Sequence, residues 1–148
     1  ETDTDSTMRI PIKTIRVSVG KAGTETPTGT WTMHRAGRWQ ELMGPSWGQY
    51  GTHVVNGIFV HSVACGQANS YNLPVGEYLR LGNPASHGCI RACVADAKWV
   101  WDNCNGSKIH IFDGTYTSNE ALKGPLGRKA LTPLRGSKNF DPTDPACK

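Results

Sequence analysis

The chain has 148 residues with a net charge of +4, 17 glycines, 9 prolines and 5 cysteines. That length supports one domain with its own core rather than two, and no apolar run approaches the ~20 residues of a membrane-spanning helix. The lysines and arginines are scattered and do not alternate with aromatics, which argues against nucleic acid as a partner; diffuse positive charge suits an anionic surface and plain solubility equally.

In chain order, Glu1 to Ser6 are polar and lack the basic start and apolar middle of a signal peptide, so the sequence reads as a mature or trimmed form. Residues 1–9 form a polar tail. Ile10 to Val19 alternates loosely between apolar and polar residues and predicts a strand. Gly29, Gly37, Gly44, Gly48 and Gly51 then punctuate the chain at the intervals of turns between short strands. Of the aromatics there, Trp31, Trp39, Trp47 and Tyr50 belong to the core or to a cleft wall, and the core is the commoner place for large rings.

Val54 to His61 is a strong apolar run and predicts a second strand, Val94 to about Asn103 predicts a helix closed near Gly106, and Lys108 to Phe112 predicts a third strand. After Gly114 the chain is rich in Lys, Gly and Pro, with the turn-forming Asp141-Pro142-Thr143-Asp144-Pro145. The pattern gives a mainly β domain over residues 10–113, with an irregular extension over 114–148 packed on the same domain. Pattern alone stops at a sandwich or a barrel.

Five cysteines in a small chain suggest an oxidising compartment and leave one thiol over, expected to be Cys89. Cys93 and Cys104 flank the predicted helix, whose full length would hold them ~16 Å apart, beyond the ~7 Å Cα limit of a disulfide. Two pairings stay open: Cys65 with Cys104 and Cys93 with Cys147, or Cys65 with Cys93 and Cys104 with Cys147.

The run Ser86-His87-Gly88-Cys89-Ile90-Arg91 sets a thiol, an imidazole, a hydroxyl and a guanidinium around one glycine. Cationic and hydrogen-bonding neighbours lower a thiol's pKa and populate the thiolate, so Cys89 reads as a nucleophile with a depressed pKa. Gly88 clears space beside the sulfur. His61 and His87 are both candidates for the base, and the Gly88 and Cys89 amides, just before the helix, are the expected oxyanion donors. Arg91 either braces Ser86 and its loop or grips a substrate carboxylate in a bidentate fork, bracing being the favoured role. The rival of another class is a metal site, since His61-x-x-x-Cys65 and His87-x-Cys89-x-x-x-Cys93 offer soft ligands, though not at the spacing of a standard zinc module.

This run resembles the SHGC(I/V)R signature of L,D-transpeptidase catalytic domains, the YkuD-type enzymes that cross-link bacterial peptidoglycan. Thr26-Pro27-Thr28-Gly29-Thr30-Trp31 resembles the family's TPxGxF/W stretch, and Phe59-Val60-His61-Ser62 its histidine-bearing motif. Asp96-Ala97-Lys98-Trp99, Gly106 and Lys108 to Phe112 continue the same order, so the resemblance runs from about Val17 to Phe112. It implies a β-sandwich of mixed sheets with one short α-helix after the catalytic cysteine. It also implies His61 as base, the Ser62 carbonyl as the group that fixes its tautomer, His87 as a supporting or substrate-facing residue, and Ser86 and Arg91 on the substrate side. Among the cysteine pairings it favours Cys65 with Cys104 and Cys93 with Cys147. The interval from His61 to Ser86 is longer than in many relatives, which implies an insertion around Gly66 to Gly76 that either lids the site or is plain surface loop. Members of the family usually carry an extra strand before the equivalent of Ile10, where this chain has only its polar tail.

The chemistry implied by the resemblance is acyl transfer without metal or organic cofactor. Cys89 would attack the carbonyl between the third residue of a tetrapeptide stem and its terminal D-alanine, and an amine on a second stem would resolve the thioester into a 3→3 cross-link. Water as acceptor gives a carboxypeptidase, and an amine on a wall protein an anchoring enzyme. The expected partners are peptidoglycan stem peptides, with carbapenem β-lactams as inhibitors; the expected state is a monomer, acting at the outer face of the bacterial membrane or in the wall. A wall-binding module with an inactive site is disfavoured by the intact motifs, and a papain-like peptidase by the order of histidine before cysteine.

Overall fold

The computed structural model describes residues 11–113, 127, 129–134 and 139–147, so the polar tail over 1–9 and residues 114–126 of the extension lie outside the described residues. The elements in order are β1 (Gly29–Thr32), β2 (His34–Arg35), β3 (Trp39–Leu42), β4 (Ser46–Gln49), β5 (Thr52–Val55), β6 (Ile58–Ser62), α1 (Val75–Leu79), β7 (Ile90–Ala92), α2 (Val94–Asn103) and β8 (Lys108–Ile111). The fold is mainly β with mixed sheets, and a short helix follows Cys89 after one intervening strand. A four-stranded sheet runs β2-β5-β6-β7, antiparallel except for the parallel pair β6-β7, while β1-β8 and β3-β4 form two antiparallel ribbons. Among the described residues no helix is long and apolar enough to cross a membrane.

The central sheet presents Val54, Val60 and Ile90 to one face, where they meet Met33, Val100 and, from the β1-β8 ribbon, Trp31, Ile109 and Ile111. Burying each such side chain contributes roughly 1.5–3 kcal/mol, and this is the main core. Ala92, Val94 and Ala97 pack with Tyr50 and Trp101 where α2 leaves the sheet. A third cluster gathers Val63, Cys65, Leu73, Tyr78, Leu81 and Cys93, with Leu131 and Leu134 of the C-terminal extension laid against it. Segment 141–143 then returns to α2: the Asp141 carboxylate accepts from the Val94 N–H at 2.8 Å and Thr143 Oγ1 from the Ala95 N–H at 3.1 Å. Both are first-turn amides that the helix itself cannot satisfy.

Four expectations are corrected by the elements. The apolar run from Val54 to His61 is not one strand but the hairpin β5-β6, broken at Asn56, whose φ of 50° is left-handed. The predicted strand from Ile10 to Val19 reduces, over its described part, to one isolated bridge, Ser18 with Arg91, and a second lies just beyond it at Gly20 with Ser86. Gly48 is no turn residue but lies inside β4. A second helix, α1, begins at the end of the Gly66 to Gly76 segment, where Val75 to Leu79 turns the Tyr78 ring into the interior.

Candidate active site

The site is built by the register of two parallel strands. Val60 pairs with Ile90 and His61 with Arg91, and side chains alternate along a strand. Val60 and Ile90 turn into the main core, so Phe59 and His61 on β6, with Cys89 and Arg91 at β7, turn to the opposite side. There they line one cleft of about 470 Å³. Its other wall is the β3-β4 ribbon, which contributes Glu41, Leu42, Met43 and Ser46.

His61 is 1% exposed. Its Nδ1 lies 2.5 Å from the Ser62 carbonyl oxygen, and since that oxygen can only accept, Nδ1 carries the proton and Nε2 the free lone pair. Burial pulls the imidazole pKa down to about 4, against the Ser62 hydrogen bond and with the help of the Arg91 charge. Ser62 is itself fixed, its Oγ accepting from the Gln49 N–H at 2.9 Å and donating to the Val63 carbonyl at 3.1 Å. Gly48 passes directly beside the imidazole: a Cβ there would stand 2.6 Å from His61 Nδ1. The glycine inside a strand pattern is the sequence signal of such a close approach.

Cys89 Sγ receives the Phe59 N–H at 3.5 Å and faces the Gly57 carbonyl at 3.7 Å, so the β5-β6 turn brackets the sulfur. Burial raises the thiol pKa, opposed by the Phe59 N–H and by Arg91. The expectation of a depressed pKa is therefore corrected: desolvation outweighs the cationic neighbours, and at neutral pH a neutral thiol sits in the same cleft as a neutral imidazole.

The turn that carries the cysteine is held from outside. Ser86 is 1% exposed; its Oγ donates to the Cys89 carbonyl at 2.5 Å and accepts from the Gly88 N–H at 3.1 Å. Ser86 thus reaches the cleft wall chiefly as a brace, and the Gly88 amide, expected as an oxyanion donor, is already used. Gly88 has φ of 118°, a region L side chains avoid, and a Cβ would meet Ile58 at 2.8 Å. Thr26 Oγ1 donates to the Gly88 carbonyl at 2.8 Å and Thr24 Oγ1 to the Ser86 carbonyl at 3.1 Å, which gives the threonine-rich stretch its place.

Arg91 has a side chain 14% exposed and an ion pair at 2.8 Å with Glu77 of α1, plus a longer hydrogen bond of 3.4 Å to the Ala85 carbonyl. It braces the loop through Ala85, next to Ser86, and Glu77 is a partner that sequence reading missed. His87 is exposed at the cleft. Trp31, Trp39, Trp47 and Tyr50 are absent from the cleft lining; Trp31 and Tyr50 pack in the core. The segment Gly66 to Gly76, expected as a lid or a plain surface loop, does not line the cleft; the β3-β4 ribbon does.

All five cysteines are free. The pairing of Cys65 with Cys104 is not formed, the first lying under the third core cluster and the second against the main core, nor is that of Cys93 with Cys147. Among the described residues no group of three or more His, Cys, Asp or Glu is placed to hold a metal: His61, His87 and Cys89 line the cleft while Cys65 and Cys93 share an apolar cluster.

The architecture has known counterparts. An L,D-transpeptidase from Mycobacterium tuberculosis H37Rv superposes with a TM-score of 0.52 at 23% identity, covering 67% of this chain and 42% of that one, a likeness of fold. L,D-transpeptidase 3 of Mycobacterium tuberculosis, solved in complex with a faropenem-derived adduct, gives a TM-score of 0.47 at 21% identity over 72% of this chain and 48% of its own. The Bacillus subtilis (strain 168) protein YciB, provisionally named an L,D-transpeptidase, is 59% identical over 27 residues, 18% of this chain and 14% of YciB. The chain spans less than half the length of each of these relatives. The model of the YkuD family, the L,D-transpeptidase catalytic domain, matches residues 3–123, a span that holds the histidine strand, the cysteine turn and the ribbon facing them, and the chain belongs to that family.

Proposed function

We propose that the protein is a peptidoglycan L,D-transpeptidase working through a Cys89 acyl-enzyme, at the outer face of the bacterial membrane or in the wall. The observation that carries this reading is the β6-β7 register, which brings a tautomer-fixed His61 and the Cys89 sulfur to one cleft. With Nδ1 committed to Ser62, the Nε2 lone pair is the acceptor for the thiol proton. As that proton moves, the sulfur attacks the carbonyl carbon between the third stem residue and the terminal D-alanine. The oxyanion needs donors; with the Gly88 amide engaged by Ser86, the Cys89 amide is the remaining one of the expected pair. His61 returns the proton to the leaving amine, D-alanine departs, and a thioester remains. An acceptor amine then attacks the thioester carbonyl, its proton passes through His61 to the sulfur, and a new amide closes the 3→3 cross-link.

The test is incubation with a soluble tetrapeptide-stem disaccharide, with products resolved by mass spectrometry. A 3→3 dimer together with free D-alanine is expected from the parent, and neither from Cys89→Ala. Tripeptide and D-alanine without dimer would make the enzyme a carboxypeptidase. No product from a folded protein would contradict the reading.

A further inference from the structure

The C-terminal segment 141–147 meets the catalytic framework through two buried carboxylates. Asp141 caps α2, directly after the strand that carries Arg91. Asp144 reaches the other half, the strand behind the base: its Oδ2 accepts from Gln49 Nε2 at 2.8 Å and its Oδ1 from the Ala146 N–H at 2.9 Å. Both ends of the side-chain pair are buried, Gln49 at 2% and Asp144 at 3% exposure. Taking a carboxylate out of water is costly unless fixed donors meet it, and the side-chain donor here lies 95 residues away in the chain. A carboxylate oxygen only accepts, so the Gln49 amide must turn its NH2 group to Asp144. Gln49 Oε1 is then left buried without a hydrogen-bond partner among the described residues, so Asp144 orients the amide at the expense of its other end.

Gln49 passes that constraint to the base. Its backbone N–H donates to Ser62 Oγ at 2.9 Å, and the Ser62 carbonyl is the group that holds His61 Nδ1. Its neighbour Gly48 lies against the imidazole, close enough that a Cβ would stand 2.6 Å from Nδ1. On the far side of Gly48, Trp47 exchanges both backbone hydrogen bonds with Cys65 at 2.8 Å. The contact with the ring is therefore held between a backbone pair at Trp47 and a side-chain anchor at Gln49. Releasing that anchor loosens both the strand that the ring rests on and the bond that fixes Ser62.

We infer that Asp144 is a positioning residue for the catalytic base: through Gln49 it holds the end of β4 against Ser62 and the His61 ring, and so keeps Nδ1 on the Ser62 carbonyl and Nε2 free. This rests on the reading of His61 as the base for Cys89. Asp144 itself touches no reacting atom and acts only through the strand.

The experiment uses the full chain and two readouts: the second-order rate of Cys89 acylation by a carbapenem, followed by intact mass, and the His61 ring signals in NMR of isotope-labelled histidine, assigned with His61→Gln. Asp144→Ala removes the acceptor, and Gln49→Met removes the donor at similar side-chain length while leaving the backbone N–H on Ser62. Each should slow acylation roughly tenfold, as a small misplacement of a reacting group does, and each should shift the His61 Nδ1 signal. The double variant should be no slower than the slower single, since both changes cut one connection. Asp144→Asn keeps an acceptor for Gln49 and should recover part of the rate. Ile109→Ala, a core truncation outside the cleft lining, destabilises the fold without touching β4 and should leave rate and signals as in the parent. Should Asp144→Ala not fold, Gln49→Met and Asp144→Asn decide on the same readouts. Unchanged His61 signals in the folded variants, equal changes in Ile109→Ala, or losses that multiply in the double variant overturn the inference. A parent that the carbapenem never acylates at Cys89 would instead overturn the acyl-enzyme reading, and the NMR comparison would still decide whether Asp144 positions the ring.

Discussion

His61 and Cys89 face each other across the energetics of burial. Each is uncharged at neutral pH because burial disfavours its charged form: the imidazole is held down to about 4 and the thiol is pushed up. A protonated imidazole cannot take the thiol proton, so acylation should fall as pH drops through about 4 and stay level from pH 5 to 7, measured as the second-order rate of loss of free enzyme to a carbapenem. A midpoint near the ordinary histidine value would mean an exposed base. The same shift acts on stability. The unfolded chain binds the His61 proton with its ordinary pKa of about 6.5 and the folded chain only near 4, so stability is lost as pH falls between those values; His61→Gln should flatten that part of the Tm profile. Gly48 is the other residue on which the site turns. Gly48→Ala would drive a methyl to 2.6 Å from Nδ1, displacing the ring from Ser62. An acylation rate about tenfold lower or worse is expected, with a stability loss of about 1–3 kcal/mol for overpacking. Gly76→Ala, where a Cβ meets nothing within 4 Å, is the control.

At the level of elements, the helix after the cysteine is capped by a distant segment. Asp141 accepts from the first amide of α2 at 2.8 Å and is 2% exposed, so Asp141→Ala leaves a buried amide unpaired. Urea unfolding should show a loss of about 1–2 kcal/mol. The elements were unevenly legible in the sequence. The α2 periodicity and its glycine stop were plain, and so was the apolar run through His61. The Asn56-Gly57 pair inside that run is a strong hairpin signal, yet continuous apolarity on both sides masked it. Segment 11–19 alternates like a strand but makes one bridge, Ser18 with Arg91 of β7, because it meets the β7 edge at that point only. Helix α1 is a five-residue element stabilised by Tyr78 packing and the Glu77 ion pair, and nothing local announces contacts of that kind.

Across the whole molecule, the fold class and the residues that meet at the cleft were more legible than the cleft's surroundings, and for a physical reason. Cys89, His61 and Ser62 lie on short contiguous runs, whereas the cleft's second wall, the Gly48 approach and the Arg91–Glu77 pair depend on tertiary placement. The expected depressed thiol pKa failed on the same ground: sequence lists the neighbours of a sulfur but not how much water it keeps. The C-terminal extension illustrates this again, since Leu131, Leu134 and Asp141 look irregular in sequence yet cover the third core cluster and cap α2. The account depends most on Cys89 being the acylated nucleophile of a folded, competent cleft. Intact-mass spectrometry after incubation with a carbapenem, with peptide mapping and a Cys89→Ala control, tests that directly. The account predicts one adduct, on Cys89, absent from the variant; a folded and reduced parent that stays unmodified, or an adduct that persists in Cys89→Ala, would contradict it.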